Sequence, residues 1–275
     1  MKVESYPHIV AAFQQSEAGQ SLQGIFRWSA FRTGETDLTW RQTLGATAND
    51  FAHGQLMYGI ARRFLEYEPD RFSSIQQELF LHGVICHDWG EALINDSGVG
   101  DISAQVKTAA EEKIESIIAR QAIASLNLPL EIKIDLLAGY AQVVEGGDPQ
   151  LHHAFKALEK AEYVITAMKV YQSGKRMNEQ GIATIENEIP LIARVLVIDL
   201  AKVLDVYIAE YPNSLGVHFY KSGPLIDEML EYVYPWLQAT KEWAGKPVDH
   251  EELASSFLEK WTQFKETFQH AQKTE

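Results

Sequence analysis

Several residue types that bind metal ions or move protons stand together in the stretch Cys86-His87-Asp88-Trp89-Gly90-Glu91. His87 and Asp88 are adjacent and Glu91 follows one helical turn later, so an α-helix would present all three on one face. Apolar residues flank the stretch on both sides, and polar groups in such surroundings need compensation. A divalent metal ion is one efficient compensation, whereas a hydrogen-bonded pair near the end of a core helix is the simpler interpretation.

The composition limits the classes of protein that the chain can represent. It has 275 residues, 46% of them hydrophobic, which suits one large domain or a domain with an extension. The net charge of −14 argues against binding to nucleic-acid polymers or anionic membranes. Cys86 is the only cysteine, which excludes disulfides within the chain and a thiolate zinc cluster.

We expect a cytoplasmic protein without a membrane span. The first residues contain no apolar run of signal-peptide length. The most apolar later segment, 191–209, is interrupted by four charged residues, as is typical of a packed helix.

Apolar residues recur at helical spacing along most of the chain, and no alternating strand pattern competes with them. The sequence therefore predicts an all-α fold. A predicted helix over 46–67 carries His53, the next, over 74–94, carries the opening motif near its end, and one over 151–171 carries Glu162. Further helices are predicted over 9–15, 103–126, 129–144, 189–209, 224–237 and 251–272.

The order of the candidate residues resembles the HD superfamily of metal-dependent phosphohydrolases. Its pattern is a histidine, then a His-Asp pair some tens of residues later, then an acidic residue on a later helix. His53, His87-Asp88 and Glu162 follow that pattern here. The resemblance covers roughly residues 24–170.

The bacterial HD-type 5′-deoxynucleotidases are the most similar branch. They have an Arg-Trp pair upstream of the first histidine, and a glutamate and then an aspartate after the His-Asp pair. Arg27-Trp28, Glu91 and Asp96 stand in those places. The family has an aspartate where this chain has Glu162, and the spacing before the first histidine indicates an insertion over 33–43.

This resemblance implies an HD-domain helical bundle over 1–185, with 186–275 as a C-terminal helical extension packed on it. It implies one divalent transition metal, bound by His53, His87, Asp88 and Glu162. Two imidazoles and two carboxylates do not select sharply among Mn, Co, Fe, Ni and Zn. The implied partner is a small phosphorylated substrate, and a homodimer stays open.

The implied reaction is release of phosphate from a nucleoside 5′-monophosphate by metal-activated water. Glu91 is expected to orient or deprotonate the water, or to relay a proton to the leaving group. Asp96 is expected to help position the water, the leaving group or the sugar. Arg27 could bind the phosphate, and Trp28 could form an apolar wall for the sugar or base.

Two alternatives stay open on the sequence alone. One is a nucleotide triphosphohydrolase or pyrophosphohydrolase, for which Lys107, Lys156 and Lys160 could supply positive charge. The other is a catalytically silent HD domain that binds a nucleotide or a protein as a regulator. The presence of glutamate at position 162 keeps this second alternative open.

Overall fold

The all-α fold predicted from the sequence is confirmed by a computed structural model of the chain. Within the residues that it describes, the only β-sheet is a two-residue antiparallel ladder, in which Glu242–Trp243 pairs with Lys246–Pro247. The described residues are 6–25, 27, 49–92, 109–182, 185–240, 242–243, 246–247 and 249–274.

Contacts divide the chain into two compact units, Met1–Leu158 and Glu159–Glu275. This division falls inside the helix Pro149–Glu179, whereas the predicted domain boundary, after residue 185, falls beyond it. The α-helices are α1 (Tyr6–Gln15), α2 (Glu17–Gly24), α3 (Asp50–Tyr67), α4 (Ser74–Ile85), α5 (Ala109–Ser125), α6 (Leu130–Gly139), α7 (Pro149–Glu179), α8 (Ile189–Arg194), α9 (Val217–Lys221), α10 (Gly223–Ala239) and α11 (His250–Thr274).

Shorter helical turns connect several of these helices. A 3-10 helix covers Trp89–Ala92, and a second one covers Ile185–Glu188. Wider π-helical turns cover Tyr140–Val144, Val195–Leu200, Val203–Tyr207 and Pro212–Gly216. No helix among the described residues combines the length and the apolar character that crossing a bilayer requires.

Polar caps fix where the two helices that carry the candidate site begin. The Asn49 side chain accepts a hydrogen bond from the Ala52 N–H at 2.9 Å at the start of α3. Ser73 and Gln76 form a capping box at the start of α4. Because these side chains satisfy N–H groups that lack a partner within the helix, they define the first turn of each helix.

Two glycines allow α4 and α6 to approach each other closely. A methyl group on Gly83 would lie 2.5 Å from the Gly139 carbonyl oxygen and would also clash with Val143. A methyl group on Gly139 would in turn lie 2.6 Å from the Gly83 nitrogen. Side chains at these positions would force the helices apart, so the two glycines position the end of α4.

The predicted helix over 74–94 is wrong at its C-terminal end. α4 ends at Ile85, and residues 86–88 form a turn before the 3-10 helix. His87 and Asp88 therefore lie in a turn and not on the face of an α-helix.

Side chains after α4 bind the carbonyl groups of its last turn, which explains where the helix ends. Cys86 Sγ donates to the His82 carbonyl at 3.0 Å, and His87 Nδ1 donates to the Val84 carbonyl at 2.7 Å. Such local bonds compete with continuation of the helix. Burial raises the pKa of the Cys86 thiol, as suits a core residue and not a nucleophile.

The second unit has buried apolar residues on α8 to α11 and on the π-helical turns Val195–Leu200, Val203–Tyr207 and Pro212–Gly216. Tyr211, Phe219, Phe257 and Trp261 are its largest fully buried side chains. Trp261 Nε1 also donates to Asp227 Oδ1 at 2.6 Å, which joins α11 to α10. The apolar segment 191–209, which the sequence indicates to be packed, contributes buried residues that include Val195, Val197, Leu200, Val203 and Tyr207.

We expect Gly83→Ala to lower the free energy of unfolding by about 1–3 kcal/mol, because the added methyl group overpacks the contact between α4 and α6. Gly59→Ala is the matched control, since a methyl group there meets nothing within 4 Å on the exposed side of α3. It should raise the free energy of unfolding by about 0.5–1 kcal/mol. Urea denaturation followed by circular dichroism measures both, and equal effects would contradict the close contact.

Candidate metal centre

Three donor atoms meet where α4 ends. His53 Nε2 lies 3.1 Å from His87 Nε2 and 3.4 Å from Asp88 Oδ2. His87 Nε2 lies 3.0 Å from Asp88 Oδ2, so two nitrogens and one oxygen form a triangle. In the described part of the chain, this is the only group of three His, Cys, Asp or Glu residues close enough to share one ion.

The spacing within the triangle fits donors to a shared ion. Donors about 2.1 Å from one ion lie about 3.0 Å apart in octahedral and about 3.4 Å apart in tetrahedral coordination. The three separations, from 3.0 to 3.4 Å, lie within that range. Two imidazoles with a carboxylate suit a mid-to-late first-row divalent ion.

The hydrogen bond of His87 leaves its Nε2 as an acceptor. Because the Val84 carbonyl oxygen only accepts, Nδ1 must carry the hydrogen of that 2.7 Å bond. In the neutral ring, Nε2 then presents a lone pair to Asp88 Oδ2 at 3.0 Å. Two acceptors at this distance are stabilised by a positive group shared between them: a proton on Nε2, the hydrogen of His53 Nε2, which lies 3.1 Å from His87 Nε2, or a metal ion. A backbone carbonyl on the other ring nitrogen is also a common partner of metal-binding histidines.

Two further charged side chains are buried beside the triangle. Arg27 Nη1 lies 3.5 Å from Asp88 Oδ2 and 3.6 Å from Asp50 Oδ1. Only 5% of Arg27 and 1% of Asp50 is exposed. The sequence identified Arg27 as a candidate but missed Asp50. A signal was available, because Asp50 precedes His53 by one helical turn and therefore shares its face of α3.

The charges of this cluster favour an additional cation. With neutral imidazoles, the carboxylates of Asp50 and Asp88 exceed the single guanidinium of Arg27 by one negative charge. Burial alone would raise the pKa of the Asp88 carboxyl, but the positive charges of protonated His87 and His53 and of Arg27 outweigh burial and hold that pKa well below its usual range. Asp88 is therefore ionised at neutral pH, and a buried negative charge requires compensation.

Tight packing holds the 3-10 helix that follows the turn. The Phe13 ring stacks on Trp89, with ring centroids 3.8 Å apart. A methyl group on Gly90 would clash with the backbone of Glu115 on α5. The turn that carries His87 and Asp88 thus lies between α4 and a 3-10 helix that packing against Phe13 and α5 holds in place.

Glu91 is buried on this 3-10 helix, and its backbone N–H donates to the Asp88 carbonyl at 3.0 Å. The sequence expectation that Glu91 shares an α-helical face with His87 does not apply, because the chain is not α-helical between these residues. Its expected part in proton transfer stays a prediction.

The geometry of the triangle does not test the remaining sequence candidates. Glu162 lies on α7 in the second unit, where it is buried and accepts a hydrogen bond from the Thr166 hydroxyl. Its assignment as the fourth ligand stays a prediction. Trp28, Asp96 and the predicted insertion over 33–43 lie outside the described residues.

Comparison with protein-family models, with curated proteins and with solved structures finds no match to this chain. The function proposed below therefore depends on the residue pattern and on the geometry of the site.

We expect the free energy of unfolding of the metal-free protein to fall less steeply with decreasing pH in Asp88→Asn than in wild type. Because the folded pKa of Asp88 is lowered, its ionisation stabilises the fold above the unfolded value of about 4. That contribution is lost as the pH falls through the folded pKa, so wild type should lose stability more steeply than the variant below about pH 5. Urea denaturation at a series of pH values measures the slopes.

The exposed Asp70 offers the control for this experiment, and Asp70→Asn should keep the wild-type slope. A wild-type slope in Asp88→Asn would show that the Asp88 carboxylate is not stabilised by its surroundings.

Proposed function

We propose that this chain is a metal-dependent phosphohydrolase of the HD type, which releases phosphate from a nucleoside 5′-monophosphate. The observation that carries the proposal is the 3.0 Å approach of His87 Nε2 to Asp88 Oδ2, while the other ring nitrogen of His87 is committed to Val84. This arrangement supports a divalent transition metal at His53, His87 and Asp88. The residue order that resembles HD phosphohydrolases supplies the reaction class.

A bound metal would act as a Lewis acid toward a phosphoryl oxygen and would lower the pKa of water. The side chains of the protein would position the reactants. The Arg27 guanidinium could form two parallel hydrogen bonds with the phosphate. Because the chain carries a net charge of −14, this buried cation beside Asp88 is important for attracting an anion.

Glu91 is the proposed proton-transfer group. It lies three residues after Asp88, on the 3-10 helix Trp89–Ala92, and burial protects its carboxylate from bulk water. One carboxylate oxygen would accept a proton from the attacking water, and the resulting acid would give a proton to the ester oxygen of the leaving group. We further propose Glu162 as the fourth ligand, Asp96 as a positioning residue and Trp28 as an apolar wall.

The full-length protein, purified without chelator, should retain transition metal and release phosphate from nucleoside 5′-monophosphates with added Mn²⁺ or Co²⁺. Because Asp88→Ala removes one corner of the triangle, it should lose metal and lower turnover by about a hundredfold or more. Asp70→Asn should retain both. Elemental analysis and a phosphate-release assay over nucleoside mono-, di- and triphosphates provide the measurements.

Less than about a tenth of an equivalent of metal, with no phosphate release after Mn²⁺ or Co²⁺ is restored, would contradict the proposal. Release of pyrophosphate or triphosphate without activity on monophosphates would favour the first alternative. Nucleotide binding without metal or turnover would favour the regulatory one.

Two glutamate variants should separate proton transfer from metal binding. Glu91→Gln should retain metal and lose turnover by about a hundredfold or more, because the amide cannot accept the proton. Glu162→Gln should lower metal occupancy, whereas Glu162→Asp, which keeps a carboxylate, should retain part of it. Occupancy and single-turnover rates measure the two effects. Retained turnover in Glu91→Gln would remove Glu91 from the mechanism, and unchanged occupancy in Glu162→Gln would point to another ligand.

A further inference from the structure

We infer that Asp50 sets the metal affinity of the site, because its carboxylate balances the charge of Arg27 and leaves the Asp88 carboxylate to a divalent ion. This inference rests on the metal-binding part of the proposed function. It assigns a positioning role to a residue that the HD resemblance does not include.

Arg27 lies between two carboxylates. The same nitrogen, Nη1, is 3.6 Å from Asp50 Oδ1 and 3.5 Å from Asp88 Oδ2. Both distances are ion-pair distances and exceed the roughly 2.7–2.9 Å of a tight charge-assisted hydrogen bond. The guanidinium is therefore shared almost equally by the two carboxylates.

A divalent ion would compete with Arg27 for one oxygen atom. Asp88 Oδ2, which faces Arg27, is also the oxygen that faces His53 Nε2 and His87 Nε2. An ion at the triangle and the guanidinium would repel each other, and burial strengthens that repulsion because the local dielectric constant is low. Without a second carboxylate beside Arg27, this repulsion would weaken metal binding.

Asp50 is held where it can act as that second carboxylate. It occupies the first turn of α3, where the helix dipole favours a negative charge. Its backbone N–H donates to the Ile25 carbonyl at 3.1 Å, which ties the segment before Arg27 to the start of α3. The Asp50 side chain is fully buried, so water does little to screen its charge from Arg27.

The charge of the cluster predicts the sign of each substitution. Asp50→Asn removes a negative charge, so Arg27 is attracted more strongly to Asp88 and metal affinity falls. Arg27→Gln removes the positive charge, so metal affinity rises. The double variant restores the wild-type sum of charges, and its affinity should return toward the wild-type value. If Asp50 were only a packing residue, Asp50→Asn, which keeps the shape of the side chain and removes only its charge, would leave metal affinity nearly unchanged.

Titration of the full-length, metal-free protein with Co²⁺, followed by calorimetry and by the visible absorption of the ion, tests this inference without an activity assay. Asp50→Asn should raise the Kd for Co²⁺ about tenfold or more, and Arg27→Gln should lower it. The Kd of the double variant for Co²⁺ should lie within about threefold of the wild-type Kd. Asp70→Asn, the same substitution on the surface, should leave the Kd unchanged.

Circular dichroism checks the fold of each variant. Arg27→Gln removes the cation beside the Asp50 and Asp88 carboxylates, so the double variant keeps the test decisive if the single one fails to fold. Normal Co²⁺ binding by wild type with an unchanged Kd in Asp50→Asn, or no recovery in the double variant, would overturn the inference and leave the proposed function standing. A wild-type chain that binds no Co²⁺ would overturn both, whereas the expected shifts without phosphate release would overturn only the hydrolase.

Discussion

The hydrogen bond from His87 Nδ1 to the Val84 carbonyl is the interaction on which the rest of the site depends. It takes a carbonyl from the last turn of α4, so the helix ends and the chain turns toward α3. It also fixes the hydrogen on Nδ1, which leaves the lone pair of Nε2 available to bind a cation. One bond therefore decides the path of the backbone, the chemical form of the imidazole and its approach to His53 and Asp88.

The pattern of helices was accessible from the sequence, because apolar periodicity reflects which face of a helix is buried. The predictions over 46–67, 151–171, 224–237 and 251–272 correspond to α3, α7, α10 and α11. The end of α4 was not accessible in this way. Apolar residues continue after the motif at 92–94, so the pattern predicts a longer helix, whereas in the structure the hydrogen bonds of the Cys86 and His87 side chains to the backbone accompany its end.

The candidate site was partly predictable for a related reason. His53, His87 and Asp88 are residue types that bind metals, and the structure brings all three together. Asp50 was missed because an aspartate in the first turn of a helix usually serves the helix dipole and remains in solvent. Only the fold shows that this carboxylate is buried against Arg27. Sequence order alone does not reveal which charges must neutralise each other.

The position of Cys86 has a consequence for the durability of the centre. Oxidation of a thiol requires access and thiolate character, and this buried sulfur, with its raised pKa, offers neither. The only sulfhydryl group of the chain thus stands next to a candidate binding site for redox-active iron, yet it is shielded from the peroxide that such an ion generates. The turn at residues 86–88 is thereby protected from the oxidation that an iron ion at the neighbouring site would promote.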